Sequence, residues 1–343
     1  MRLTIATICI SLALLGCSAP SGSIPSGQDA NTEPDANSLA PGDFQVEWGP
    51  LTVDPGVEDV RCVLVRLGNE VPVKINRIHN VLGSVSHHYI IYTTNETEEN
   101  LVPSPCDSLE NLVDPENGLP LMITQKYEET LELPEGVAFV LEPNQMLRLE
   151  LHYINASDQP LEVHPVSTFS SIAEAEFQHA ADFLFVGNPD VQIPPNSSWT
   201  LGPTYLPMFA EFTGKKFFGF TGHQHQWGTN VQVAIADSES GPDRMVYDLP
   251  NFDWDEPETV YYDPPLEFPA GGGFRFTCDW TNMSNRTVRF GENVDDEMCF
   301  FWAYYYPATG IKLCAHTDQT PAPLDVCCPG SPLCNLIDEY LNP

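Results

Sequence analysis

The sequence predicts an all-β protein: two consecutive antiparallel, jelly-roll-like β-sandwiches with a short disulfide-rich C-terminal tail. Three observations carry that expectation. Where a hydrophobic period is visible it is two, as in Leu147, Leu149, Leu151 and Tyr153 against Arg148, Glu150 and His152, in Val231, Val233 and Ile235, and in Phe274, Phe276 and Cys278. A period of two marks strands with one buried face. Thirty-two prolines and 23 glycines cut these runs at the short spacing of sandwich turns. About 300 residues follow Phe44, which on size alone suits two ordinary domains.

At the N-terminus, Arg2 precedes an apolar run from Leu3 to Leu15 that closes on Leu-Leu-Gly-Cys at residues 14–17. The run is too short to span a bilayer and ends on a small residue before cysteine, the pattern of a lipoprotein signal. Residues 1–16 are therefore expected to be removed and Cys17 to carry a lipid; an ordinary signal peptide that contains a cysteine is the alternative. Ser18 at the next position favours the outer over the inner membrane of a bacterial envelope. Residues 17–43 are rich in Ser, Pro, Gly and Asp without a hydrophobic period, and read as a flexible tether. The first sandwich is assigned to residues 44–172, the second to 173–312 and the Cys/Pro-rich tail to 313–343. Only Ser171 to Ala181 offers a helical pattern, read as a short linker helix.

Charge and cysteines narrow the function. With 48 acidic against 14 basic residues and a net charge of −34, the chain lacks the clustered cations that bind phosphate backbones, so no nucleic-acid partner is expected. No obligate protein partner is evident either. Eight of the ten cysteines lie beyond the signal: Cys62, Cys106, Cys278, Cys299, Cys314, Cys327, Cys328 and Cys334. An even number in an exported chain suggests four disulfides with open pairing. No CxxC or CxxCH pattern supports structural zinc or attached haem.

Four stretches hold candidate metal ligands: VSHHYIIY with His87 and His88, RLELHYIN with His152, FTGHQHQWG with His223 and His225, and DDEMCFFWAYYYP with Met298. On an extended strand residues two apart share a face, so His223 and His225 can meet one ion without distortion. The adjacent His87 and His88 can do so only at a strand end, bend or bulge. Imidazoles suit copper, zinc, iron or nickel, whereas the thioether of Met298 favours copper, above all Cu(I). Taken singly, each stretch is also compatible with solvated histidines or core methionine.

Together, in this order and spacing, the His-His, Leu-His-Tyr, His-x-His and Asp-Glu-Met-Cys motifs resemble the copper type II, ascorbate-dependent monooxygenases, over roughly Val60 to Tyr306. The stretch ADFLFVGNPDVQIPPNSSW resembles the start of that family's second domain. The resemblance implies two copper ions per chain. His87, His88 and His152 would hold the electron-donating copper; His223, His225 and Met298 would hold the oxygen-binding, catalytic one. It also implies disulfides Cys62–Cys106 and Cys278–Cys299, and hydroxylation of a C–H bond with O2 and an external reductant such as ascorbate.

Where the family's peptide-specific member binds a carboxylate with an arginine, an asparagine and a tyrosine, this chain has Thr221, Phe300 and Trp302. The missing arginine clamp points to a small or partly apolar substrate rather than a peptide. A copper-binding lipoprotein without turnover remains the alternative, as does a surface sandwich module with incidental histidines. His79, His164, His179 and His316 are read as structural or solvated, and the acidic turn Asp253 to Glu258 as a solvated loop.

Overall fold

The structure, a computed structural model, describes residues 42–83, 85–105, 119–291 and 293–334. The expectations for the signal, Cys17 and the tether up to residue 41 fall outside these ranges, as do Cys106 and the last nine residues; Asp43, assigned to the tether, already opens the first strand. Strands dominate, and no helix among the described residues is long and apolar enough to cross a membrane. The all-β expectation holds.

Every strand ladder among the described residues stays within residues 43–180 or within 182–328. In the first half, a six-stranded sheet runs Asp43–Glu47, Val166–Ser171, Val73–Val81, Val137–Leu141, His179–Ala180, with Glu128–Glu132 also on Val73–Val81. It faces a five-stranded sheet in the order Asn100–Pro105, Glu58–Arg66, Met146–Ile154, Ser86–Thr94, Leu119–Thr124. In the second half, a six-stranded sheet runs Val260–Glu267, Lys216–His223, Phe300–Tyr306, Asp182–Gly187, Lys312–Thr317, Leu324–Cys328. Its companion has four strands, Ser197–Pro207, Gly273–Asn282, Gly228–Ala236 and Asp243–Asp248.

The linker-helix expectation fails. Between Ser171 and His179 the chain makes only a turn, closed by Glu176 N–H to Ala173 O and by the Glu176 carboxylate on Ala173 N–H. The following N–H groups of Gln178, His179 and Ala181 are taken by the carbonyls of Gly136 and Ala138. Backbone donors committed to a neighbouring strand cannot close helical turns.

The tail is disulfide-rich, as expected. It is tied by disulfides Cys314–Cys327 and Cys328–Cys334. Lys312–Thr317 pairs in parallel with Asp182–Gly187 and carries Leu324–Cys328 on its other edge, so part of the tail belongs to the sheet of the second half.

Two apolar clusters form, and the six-stranded sheet of the second half separates them. Leu184, Val186, Phe301, Ala303, Tyr305 and Cys314 point into the second sandwich. Phe183, Phe185, Phe300, Trp302, Tyr304 and Leu313 point the other way, into a cluster continuous with the core of the first sandwich. This alternation explains why Phe300–Tyr306 is aromatic along nearly its whole length and buried throughout: one set of side chains fills a core and the other forms the joint between the halves. All described residues accordingly belong to one compact unit.

Candidate metal centres

The first centre lies on the five-stranded sheet. His152 on Met146–Ile154 stands opposite His88 on Ser86–Thr94, and the register then slips so that Tyr153 pairs with Ser86. His87 is the extra residue of a β-bulge, preceded by Val85 at φ 67°. The bulge re-aims one side chain, which is the condition adjacent histidines need to share a face. The ring centroids lie 5.5 Å apart for His87 and His88, and 4.9 Å for each with His152.

One ring nitrogen from each of the three histidines lies within 4.8 Å of the others. Nδ1 of His87 and Nδ1 of His88 are 3.3 Å apart. Two nitrogens each about 2.0 Å from one ion have that separation near the tetrahedral angle.

Burial makes all three imidazoles neutral at ordinary pH. Desolvation, with His152 adding to it, pushes His87 down to about 3. Desolvation takes His152 to about 4 and His88 well below its usual value. Neutral imidazoles offer lone pairs to a metal without competition from protons.

Carboxylates surround the cluster. His152 Nε2 lies 2.9 Å from Glu58 Oε1, which fixes the proton on Nε2 and frees Nδ1. His88 Nε2 is 4.0 Å from Glu150 and His87 Nε2 is 3.6 Å from Asp255. His152 lies on the polar-patterned side of its strand, and that side is not open to water. Arg148, Glu150 and His152 are all buried, with the Arg148 guanidinium 4.1 Å from the centre of the Tyr92 ring.

The second centre is built on the joint face of the six-stranded sheet. Lys216–His223 ends at His223, so His225 lies beyond the strand rather than on it, contrary to the strand-chelate expectation. Glu297 does the holding instead. Its buried carboxylate accepts from His225 N–H at 2.9 Å, Trp227 N–H at 2.7 Å and Trp280 Nε1–H at 2.8 Å. His225 Nδ1 also lies 3.2 Å from the Asp296 carbonyl.

The rings of His223 and His225 are 5.1 Å apart and nearly perpendicular. Both histidines are buried, at 9% and 2% exposure, which rules out the wet-strand alternative. Met298 is buried in the same cluster as Phe300 and Trp302, and Phe300 is the strand partner of His223, so methionine and histidine share the joint face. The disulfide Cys278–Cys299 anchors the residue after Met298. Desolvation, then the neighbouring His87, holds His225 at about 4, and His223 is lowered well below the usual value by burial first and His225 next.

Around this centre Trp302 lies 6.1 Å from the His223 ring. Thr221 is spent on Thr259, Oγ1 to Oγ1 at 2.8 Å, and Thr259 in turn lies 3.4 Å from Glu129 Oε1. The Thr221 hydroxyl itself carries no charge to receive a carboxylate.

Sequence reasoning missed Glu58, Gln125, Glu150, Asp255 and Glu297. Two had a signal: Glu150 stands two residues before His152 on the same strand face, and Glu297 directly precedes Met298. The acidic residues of Asp253 to Glu258 are exposed, as the solvated reading expects, but the Trp254 ring packs 5.5 Å from His87 and Asp255 Oδ1 lies 3.6 Å from its Nε2. His79, His164 and His316 are occupied by Thr130, Glu47 and Asp325, and His179 stacks on Tyr306, so none joins either centre. Cys62 is disulfide-bonded; its expected partner Cys106 lies outside the described residues.

Neutral buried imidazoles, with a buried thioether on the same face as His223, are ligand types suited to copper. Residues 180–322 match the copper type II ascorbate-dependent monooxygenase, C-terminal domain, so this part of the chain is similar to that family. Among solved structures, a chain from the atomic structure of Sulfolobus Turreted Icosahedral Virus aligns with 77% of this chain and 88% of its own at 8% identity. Its TM-score of 0.26 carries no argument.

Proposed function

We propose that the protein is a lipid-anchored, two-domain copper monooxygenase of the bacterial envelope, with its sandwiches at residues 43–180 and 182–328, that hydroxylates a C–H bond of a small, partly apolar substrate. O2 and an external reductant such as ascorbate would be its co-substrates. The observation that carries this reading is the family match over residues 180–322, a segment containing a buried His223–His225 pair with Met298 on the same face.

His87, His88 and His152 would hold one copper, and His223, His225 and Met298 the other. The donor set fits: the imidazoles are neutral, and Nδ1 of His87 and Nδ1 of His88 lie 3.3 Å apart. Bound copper would supply O2 binding and one-electron transfer.

The chain's own residues do the rest. Glu58 orients His152, and Glu297 fixes the backbone on either side of the second centre through His225 and Met298. Phe300 and Trp302 keep the surroundings of His223 apolar, which excludes water and favours an apolar substrate portion. Thr221, already paired with Thr259, offers no charge to an anionic group.

The test loads the exported chain with copper, counts ions per chain, and follows ascorbate-dependent O2 uptake over a panel of small apolar and amphipathic substrates. Two ions with substrate-stimulated uptake and hydroxylated product are expected. Two ions without product from any substrate would favour a copper-binding lipoprotein. Met298→Ala is expected to abolish hydroxylation while the three-histidine copper stays bound; retained turnover would remove Met298 from its role.

A further inference from the structure

Two contacts cross the joint in opposite directions. Gln125 follows Leu119–Thr124 in the first half, and its Oε1 lies 3.1 Å from Nδ1 of His223 in the second. Asp255, from the loop after Asp243–Asp248 in the second half, brings Oδ1 to 3.6 Å from Nε2 of His87 in the first. Each histidine centre therefore takes an outer partner from the half that does not hold it.

The two contacts are joined. Gln125 donates its Nε2–H to the Trp254 carbonyl at 3.5 Å, and the Trp254 ring packs against His87 with centroids 5.5 Å apart. A continuous path results: His223, Gln125, Trp254 with Asp255, His87. Gln125 is 5% exposed, and its one planar amide is engaged at both ends. A rigid group accepting at one end and donating at the other transmits a shift of either partner, since it cannot follow one without straining its bond to the other.

We propose that Gln125 is a positioning residue that couples metal occupancy at the two centres. The inference rests on the two-copper reading above. An ion at His223 requires Nδ1 to carry its proton toward Gln125, which fixes the amide. The fixed amide holds Trp254 and Asp255 over His87. Part of the ordering that binding at the first centre requires is then already in place, and two sites that share an ordering step bind cooperatively.

The test is a double-mutant cycle on the full chain, with Cu(I) titrated against a competing chelator. His152→Ala removes one ligand of the first centre, and the readout is copper affinity at the second. With Gln125 present, His152→Ala is expected to weaken the second centre by about fivefold or more, the usual range of coupling between sites. In Gln125→Ala the same change should move it less than twofold.

Gln125→Glu keeps the oxygen on His223 and removes the donor to Trp254. It should retain the two-imidazole and sulfur signature of the second copper in X-ray absorption while losing the coupling, a separation that general destabilisation would not produce. If Gln125→Ala fails to melt cooperatively, the Gln125→Glu comparison carries the test alone. Equal effects of His152→Ala in all backgrounds overturn the coupling and leave the two-copper reading standing. Fewer than two coppers on the wild-type chain overturn both.

Discussion

Gly187→Ala tests the packing that supports the second centre. Gly187 stands opposite Phe300 in the ladder between Asp182–Gly187 and Phe300–Tyr306. A Cβ added there would lie 2.1 Å from Phe300 Cδ1. Ordinary contact begins at about 3.4 Å, so the ring must withdraw by the difference, roughly 1.3 Å. It has little room: Phe300 is 1% exposed and stacked 4.9 Å from Phe185, with Phe290 at 5.9 Å.

Overpacking of this kind costs about 1–3 kcal/mol, against a gain of about 0.4–1 kcal/mol from the stiffer unfolded chain. With mid-range values of about 2 and about 0.7 kcal/mol, the net loss is about 1–2 kcal/mol. At roughly 2–4 °C per kcal/mol for a chain of this size class, Tm should fall by about 2–8 °C in calorimetry. Because Phe300 is also the partner of His223, copper affinity at the second centre should fall while the three-histidine centre keeps its own. Phe300→Leu in the same chain should recover at least half the loss. A single variant that melts at or above wild type, or a double variant whose effects simply add, would refute the steric account.

Other outcomes follow from contacts already described. Glu58→Ala removes the carboxylate 2.9 Å from His152 Nε2 and should weaken copper at the three-histidine centre by about 10–100-fold in a chelator competition, with the second centre unmoved. Cys278→Ala with Cys299→Ala opens a disulfide whose cysteines are 21 residues apart, which should lower stability by about 3 kcal/mol in denaturant unfolding. His316 should give a pH signature. Its hydrogen bond to Asp325, reinforced by the charges of Asp325 and Asp318, raises its folded value above the usual imidazole range. The stabilisation is then fully present below about pH 6.5 and lost as pH rises through the elevated folded value. His316→Asn should flatten that part of the Tm-against-pH curve; an unchanged slope would show that the pair contributes nothing.

The fold class was legible because strands with one solvated face print their alternation in the sequence, as Gly273–Asn282 does. Met146–Ile154 misled for the same reason: its polar side reads as solvated, yet Arg148, Glu150 and His152 are buried under the joint. The ligand types and their order along the chain were readable. The bulge that brings His87 beside His88 was readable only as a requirement, since nothing in the local residues fixes where a register slips. Gln125 and Asp255 left no trace. They act on histidines 98 and 168 positions away, so their roles exist only once the halves have met. The helical pattern of Ser171 to Ala181 lost to tertiary structure, because the N–H groups it needed were taken by carbonyls near Gly136.

The aromatic strand Phe300–Tyr306 serves both cores at once, and this limits how the molecule can be divided. A fragment beginning near Ala181 would keep the residues matched to the copper family, but would turn Phe183, Phe185, Phe218, Trp302 and Tyr304 out into water. Such a sheet of contiguous rings is a surface that self-associates. The segment that looks most like a portable enzyme module is thus the one least able to remain in solution alone.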